Sequence, residues 1–292
     1  MKVAVFGKQF STAFYEKCKL LFDCFHQLDV EVIVYAPFVE FIEQIANVRT
    51  QASGTFSSFK NLPDCEMLFS IGGDGTFLEA VSMVRDRNIP MVGINSGRLG
   101  FLADIAMDDL PEAIYEILKR KYTIRQLELL SLTSDKSCFG NINFALNELA
   151  IHKQDTASMI TVHAYIDGEF LNSYWSDGLI ISTPTGSTAY SLSVGGPIMH
   201  PMSGGFVITP IAPHNLTVRP LVVPNSSEIT LHVEGRGGKF LASLDSRSCI
   251  LDNGIELKIK KADFKISVIE LTGQSFYSTL RNKLMWGADK RN

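Results

Sequence analysis

Residues 66–79 read Glu66-Met67-Leu68-Phe69-Ser70-Ile71-Gly72-Gly73-Asp74-Gly75-Thr76-Phe77-Leu78-Glu79. The first six form an apolar run short enough to be a buried strand, and it stops on two consecutive glycines. From Thr76 to Arg85 the apolar residues recur three and four apart, as on one face of a helix. A strand, a tight turn and a helix in one stretch form the unit of a parallel sheet, because parallel neighbours need a crossover connection. The same alternation extends in both directions. Apolar runs at Lys2–Phe6, Val30–Tyr35 and Met91–Asn95 predict further strands, and Ala13–Leu28 and Leu110–Lys121 predict helices between them. The first third is therefore expected to be a Rossmann-like α/β domain that binds ligands at the carboxyl ends of its strands. Gln51–Lys60, rich in Ser, Gly and Thr, reads as a mobile loop.

Beyond about residue 121 the pattern changes to successive strand-like runs. These are Thr123–Thr133, Ile142–His152, Met159–Ile166, Gly178–Ser182, Gly205–Thr209, Glu228–Val233, Lys239–Leu244, Ile255–Lys260 and Phe264–Leu271. Asp167-Gly168 and Asn253-Gly254 carry the chemistry of hairpin turns. One helix-like insertion, Ser187–Val194, interrupts this mostly antiparallel β domain. Phe276, Leu280, Leu284 and Met285 then share one face of a final helix, expected to return to the first domain. The predicted organisation is an α/β domain from 1–121 plus 273–292 and a β-rich domain from 122–272.

Bulk properties narrow the function. With 46% hydrophobic and 20% charged residues, the 292-residue chain has the composition of an ordinary globular protein. The net charge is −4, and no block of like charges forms an arm for nucleic acid or a patch for a membrane surface. Cys18, Cys24, Cys65, Cys138 and Cys249 contain no CxxC pair, so reduced thiols are expected rather than a disulfide framework or metal site. The N-terminus is strand-like, and no apolar run approaches the ~18 residues of a membrane span. The expected location is the cytoplasm.

Three stretches carry chemistry. Gly72, Gly73, Gly75 and Thr76 lie where a strand's carboxyl end meets a helix start, so their N–H groups can cradle a phosphate. Asp74 would be repelled there unless it takes a proton or meets a phosphate-bound metal; the alternative is a simple helix cap. Asn147-Glu148 interrupts an apolar run and suits the hydroxyls and base edges of a nucleoside, or else the two face water on an edge strand. Residues 176–198 place Asp177 before a short strand, then a turn crowded with small hydroxyls. Ser187 or Thr188 could cap the helix that follows, Tyr190 offers a ring for stacking, and Gly195-Gly196-Pro197 ends the helix.

Four blocks in this order resemble the NAD kinase family: Gly72 to Thr76, Asn95 to Leu102, Asn147-Glu148, and Asp177 to Gly196. The last block is the most specific, since phosphofructokinases and lipid kinases share a turn like the first. The resemblance covers most of the chain. It implies transfer of the γ-phosphoryl of ATP to the 2′-hydroxyl of the adenosine ribose of NAD, and assembly as a homodimer or homotetramer; on physical grounds a divalent cation, Mg²⁺, is expected to neutralise the ATP phosphates. It implies Asp74 as general base, with Gly75 beside the dinucleotide. Asn147 and Glu148 would hold nucleoside groups, Asp177 the nicotinamide end, and Thr188, Ala189, Tyr190, Ser191, Leu192 and Ser193 the adenine and ribose pockets. Ala212 would pack on the nicotinamide half, and Asp245 is a further acidic site residue. Metal ligands are not specified. Two positions depart from the family pattern: Trp175, and Ser158 with Met159, stand where basic or imidazole residues are common. Arg98 could supply a charge or hold its own turn.

Overall fold

The structure is a computed structural model, and it describes residues 1–97, 100–136, 138–154 and 158–286. The chain divides into two compact units, Met1–Gln126 with Ile266–Asn292, and Leu127–Lys265.

In the first unit, parallel strands run in the order Gly54–Phe56, Glu31–Tyr35, Lys2–Gly7, Met67–Gly72, Met91–Asn95. Ile105–Ala106 lies beside the last of these, and Val268 pairs with Met91. Every residue of Met67–Gly72 is buried, which is why that strand reads as an unbroken apolar run rather than an alternating one. Helices Tyr15–Gln27, Ala36–Gln44 and Leu110–Leu118 contribute Phe25, Phe38, Ile42 and Ile114 to one core, where they meet Val5, Phe69 and Ile94 of the sheet. Gly72 and Asn95 are register partners at the carboxyl edge.

The second unit contains two antiparallel arrays. In one, Ile160–Ile166 lies between Glu169–Ser176 and Ile229–Gly235, and the latter pairs with the start of Glu256–Leu271. In the other the order is Leu221–Pro224, Gly205–Ile211, Gly178–Ser182, Glu148–Lys153, Lys239–Leu244, Arg247–Asp252. Val162 and Leu231 from the first array and Ile151, Leu179, Ile208 and Phe240 from the second share a single core, as in a β-sandwich. The final helix, Phe276–Leu284, belongs to the first unit, with its Ser275 side chain accepting from the Ser278 N–H as a cap. The α/β and antiparallel β classes thus match the sequence reading.

Several local expectations are corrected. Gln51–Lys60 is not wholly loop, because Ile33 pairs with Gly54 and residues Phe59–Asn61 form a turn boxed by Ser58 and Asn61. Ile255–Lys260 and Phe264–Leu271 are parts of one 16-residue strand. Ile142–His152 is broken into Phe144–Ala145 and Glu148–Lys153. Asp167-Gly168 does make a two-residue hairpin, with φ of +51° and +85°. Asn253-Gly254 does not, since it carries the chain from Arg247–Asp252 in one array to Glu256 in the other. Free thiols are found at Cys18, Cys24 and Cys65, whereas Cys138 and Cys249 form a disulfide across 111 residues.

Candidate active site

Strand Met67–Gly72 delivers the glycine turn. Gly72 has φ +154°, and a Cβ there would lie 2.3 Å from Thr76 Oγ1, so no other residue fits. Helix Asp74–Val84 begins from Gly73 without a side-chain cap, and in its first turn the Gly73 carbonyl accepts from the N–H groups of Thr76 at 3.0 Å and Phe77 at 3.1 Å. Asp74 is therefore not the cap. Its Oδ1 accepts from the N–H groups of Leu102 at 2.9 Å and Ala103 at 3.0 Å. Its Oδ2 accepts from Phe101 N–H at 2.9 Å and lies 3.3 Å from Lys283 Nζ. Gly100 permits this approach, because a Cβ there would fall 1.9 Å from Asp74 Oδ1. Asn95 ties down the same loop, its Oδ1 accepting from Gly97 N–H at 2.5 Å. Arg98 lies outside the described residues. Beside the loop, burial pushes the Asp104 carboxyl up to about 7; Arg125 and its own N–H oppose this, and Glu270 and Asp74 add to it.

In the second unit the break at Leu146-Asn147 is built around Asp245. That side chain is 4% exposed, sits at the turn joining Lys239–Leu244 to Arg247–Asp252, and has φ +51°. Its carboxylate accepts from Leu146 N–H at 2.9 Å, Asn147 N–H at 2.8 Å and Glu148 N–H at 3.2 Å. Burial pushes the Asp245 carboxyl up, while these amides and Arg247 pull it back. Arg247 also donates to the carbonyls of Ile142 and Phe144. Asp245 thus positions Asn147-Glu148 through their backbone. On the other side, Asn147 O accepts from Thr183 N–H at 2.8 Å, and it would sit 2.1 Å from any Cβ on Gly186.

Asn147 Oδ1, Glu148 Oε2, Ser182 Oγ and Thr185 Oγ1 are all buried with no hydrogen-bond partner among the described residues. Ser182 is the register partner of Glu148. Four such atoms around one turn are costly for a fold, and they give the turn an unmet hydrogen-bonding capacity. Residue type singles out Asn147 and Glu148 in the sequence but not Ser182 and Thr185. Ser182 lay in an apolar run, and Thr185 was one of many hydroxyls.

Glu148 is held protonated at neutral pH. Burial and, to a smaller extent, the Asp245 carboxylate together raise its pKa to about 8 against the opposing effect of the Tyr190 amide. A folded value above the unfolded 4.5 means that the stability due to this proton is fully present below 4.5 and lost as pH rises through about 8. Glu148→Gln keeps a neutral side chain at all pH values. Its melting temperature is expected to gain on the wild type's as pH rises from roughly 5 to 9. A constant gap between the two melting curves would contradict a protonated Glu148.

The remaining residues fall into place around this turn. The hydroxyl-rich segment folds as Gly186–Thr188 and then Tyr190–Ser193, with Ala189 as the bend between them. Neither Ser187 nor Thr188 caps the second helix. Ser187 Oγ bonds Pro184 O at 2.6 Å and Met199 N–H at 2.9 Å, and Thr188 Oγ1 bonds Thr185 O at 3.2 Å. Tyr190 is exposed and its ring stacks on His152 at 5.6 Å. Ser191 is buried against Thr209 Oγ1 at 3.0 Å, while Leu192 is partly exposed and Ser193 exposed. Asp177 pairs with Lys153 Nζ at 2.6 Å. Exposed Ala212 has φ +45°, just beyond Gly205–Ile211. The half-exposed Trp175 ring lies 4.2 Å from that of His214.

A glycine turn with a clamped carboxylate in one unit, and a cluster of buried unpartnered acid, amide and hydroxyl groups in the other, have the chemistry of a nucleotide-binding protein of the phosphoryl-transfer class. Residues 40–122 match the model of the ATP-NAD kinase N-terminal domain, and residues 146–271 match that of the ATP-NAD kinase C-terminal domain. The chain belongs to the ATP-NAD kinase family. It is 50% identical over 264 residues to an NAD kinase from Cytophaga hutchinsonii, covering 90% of each chain. It is 48% identical over 295 residues to one from Flavobacterium johnsoniae, covering 100% of each. Among solved structures, a yeast NADH kinase complexed with NADH superposes with a TM-score of 0.86 at 26% identity, over 99% of this chain and 89% of that one. An NAD kinase from Archaeoglobus fulgidus in complex with ATP gives 0.75 at 25% identity, over 98% and 99%.

Proposed function

We infer that this chain is an ATP-dependent kinase of NAD, and that the acceptor is the 2′-hydroxyl of the adenosine ribose. The observation that carries the reading is the set of unpartnered buried groups at Asn147, Glu148, Ser182 and Thr185, which matches the hydrogen-bonding demands of a nucleoside. The β unit, for which the sequence suggests 122–272, binds NAD through these groups, through Asp177 and Ala212, and through segment 188–193. The α/β unit, 1–121 plus 273–292 on the same reading, handles the triphosphate with Gly72, Gly73, Gly75 and Thr76.

In the transfer, the ribose oxygen bonds the γ-phosphorus and its proton passes to Asp74. The bond from the γ-phosphorus to the bridging oxygen breaks, and ADP leaves with the electron pair. Alignment and charge neutralisation supply most of the acceleration in such reactions. A divalent cation, Mg²⁺, enters with the nucleotide as part of the substrate. Mg²⁺ in such sites is generally held by substrate phosphates and water with one or two carboxylates.

Incubating the purified protein with NAD, ATP and Mg²⁺ is expected to yield NADP, and its absence would overturn the reading. The proposed assembly is a homodimer or homotetramer, supported by exposed Phe170, Trp175, Leu216, Val222 and Ile250 on the β unit and checked by light scattering. Among the described residues no helix is long and apolar enough to cross a membrane. The cytoplasm is the proposed location.

A further inference from the structure

An ionised carboxylate has about four lone-pair sites. Around Asp74 three are taken by the N–H groups of Phe101, Leu102 and Ala103, and the fourth faces the Lys283 ammonium. A base in this condition has no site for a substrate proton. Three consecutive backbone donors cannot withdraw without dismantling their loop. Lys283 can, since it contacts Asp74 through a flexible four-carbon stem, at 3.3 Å rather than the 2.9–3.0 Å of the amides. The ammonium also lies 4.5 Å over the Phe101 ring, a contact that holds it near without a hydrogen bond. Its helix is fixed by the Ser275 cap and by buried Phe276 and Leu280, so only the side chain need move. Among the described residues Asp104 also interacts electrostatically with Asp74, and being acidic it cannot replace the lysine.

We propose that Lys283 is the exchangeable occupant of the Asp74 carboxylate: on nucleotide binding its ammonium transfers to the phosphoryl group being moved, and Oδ2 becomes available to the ribose hydroxyl. A compact ammonium suits this task, because it binds phosphate as a point charge with no fixed fork. The lysine then occupies the base in the resting enzyme and becomes an electrostatic partner of the transition state. It is a catalytic residue in the α/β unit that no motif in the sequence marks.

The inference rests on the NAD kinase reading, and the test separates the two. NADP formation is measured for wild type, Lys283→Met and Lys283→Arg, with thermal melting as a control for folding. In Lys283→Met, kcat is expected to fall by about 10²-fold and KM for ATP to rise, with the affinity for NAD unchanged. Lys283→Arg is expected to recover a substantial part, since it keeps the charge. If wild type makes no NADP, the kinase reading fails. If wild type makes NADP and Lys283→Met matches it in kcat and KM for ATP, only the role of the lysine fails. Equal losses in both variants with an unchanged KM for ATP would likewise refute that role in favour of a structural one.

Discussion

Asp74→Asn is expected to lower NADP formation by about 10²–10⁴-fold, the usual worth of a general base, while the protein still folds. The geometry sharpens this expectation. Asparagine keeps one acceptor oxygen, enough for the paired N–H groups of Leu102 and Ala103, which share Oδ1. It turns an amide NH₂ toward Phe101 N–H and Lys283, where Oδ2 now accepts. Both lose their acceptor; the partly exposed lysine turns to water, while the Phe101 N–H is left without a partner at a cost of roughly 1–3 kcal/mol. The variant should therefore melt a few degrees lower and still bind NAD through the other unit, because Asn147 and Glu148 are positioned there by Asp245. Turnover and NAD affinity measured side by side decide the matter. Near-normal turnover removes Asp74 as the base, and parallel loss of NAD binding makes it a structural clamp instead.

The second large effect belongs to Asp245. Asp245→Ala removes the acceptor of three N–H groups at the centre of a buried site. Breaking a buried charged network from one side costs about 3–5 kcal/mol, a large share of the roughly 5–15 kcal/mol that holds a folded protein together. Arg247, 3.9 Å from Asp245, also loses its counter-charge. The urea midpoint is expected to fall sharply and NAD binding to weaken strongly, because Thr183, which bonds the carbonyls of Leu146 and Asn147, is then left to hold the break from one side. Asp245→Asn, which keeps one acceptor, should lie between alanine and wild type. A midpoint within the equivalent of ~1 kcal/mol of wild type would show that the amides have other partners.

How much the sequence disclosed depended on the kind of contact involved. Strands such as Met67–Gly72 were legible because burial on both faces leaves a solid apolar run. Glu169–Ser176 and Arg247–Asp252 were missed because they lie at the edges of their arrays and bury few residues, so their patterns are mostly polar. Helix Ala36–Gln44 was hidden by starting directly at the end of a strand, with Pro37 in its first turn. The glycine turn and the hydroxyl-rich segment were legible because conformation and chemistry both demand particular residues there. The partners of Asp74 were not, since backbone N–H groups 27–29 residues away carry no signature in residue type. The same holds for Asp245, whose amide partners lie 97–99 residues away. The polar pair Asn147-Glu148 looked inconsistent with its strand because the break that accommodates it is imposed from that distance. The Cys138–Cys249 bond was invisible for the same reason.

The first unit is discontinuous, with residues 266–292 returning to join 1–126. A ribosome therefore releases Asp74 long before its lysine, which follows 209 residues later. At ~5–20 residues per second the nascent protein spends on the order of ten seconds or more with the 74 carboxylate made and its cation still untranslated. Over most of that interval the hairpin bearing Asp245 is also missing. The Asp74 carboxylate of the emerging polypeptide consequently stays without its ammonium partner until the closing helix has cleared the exit tunnel.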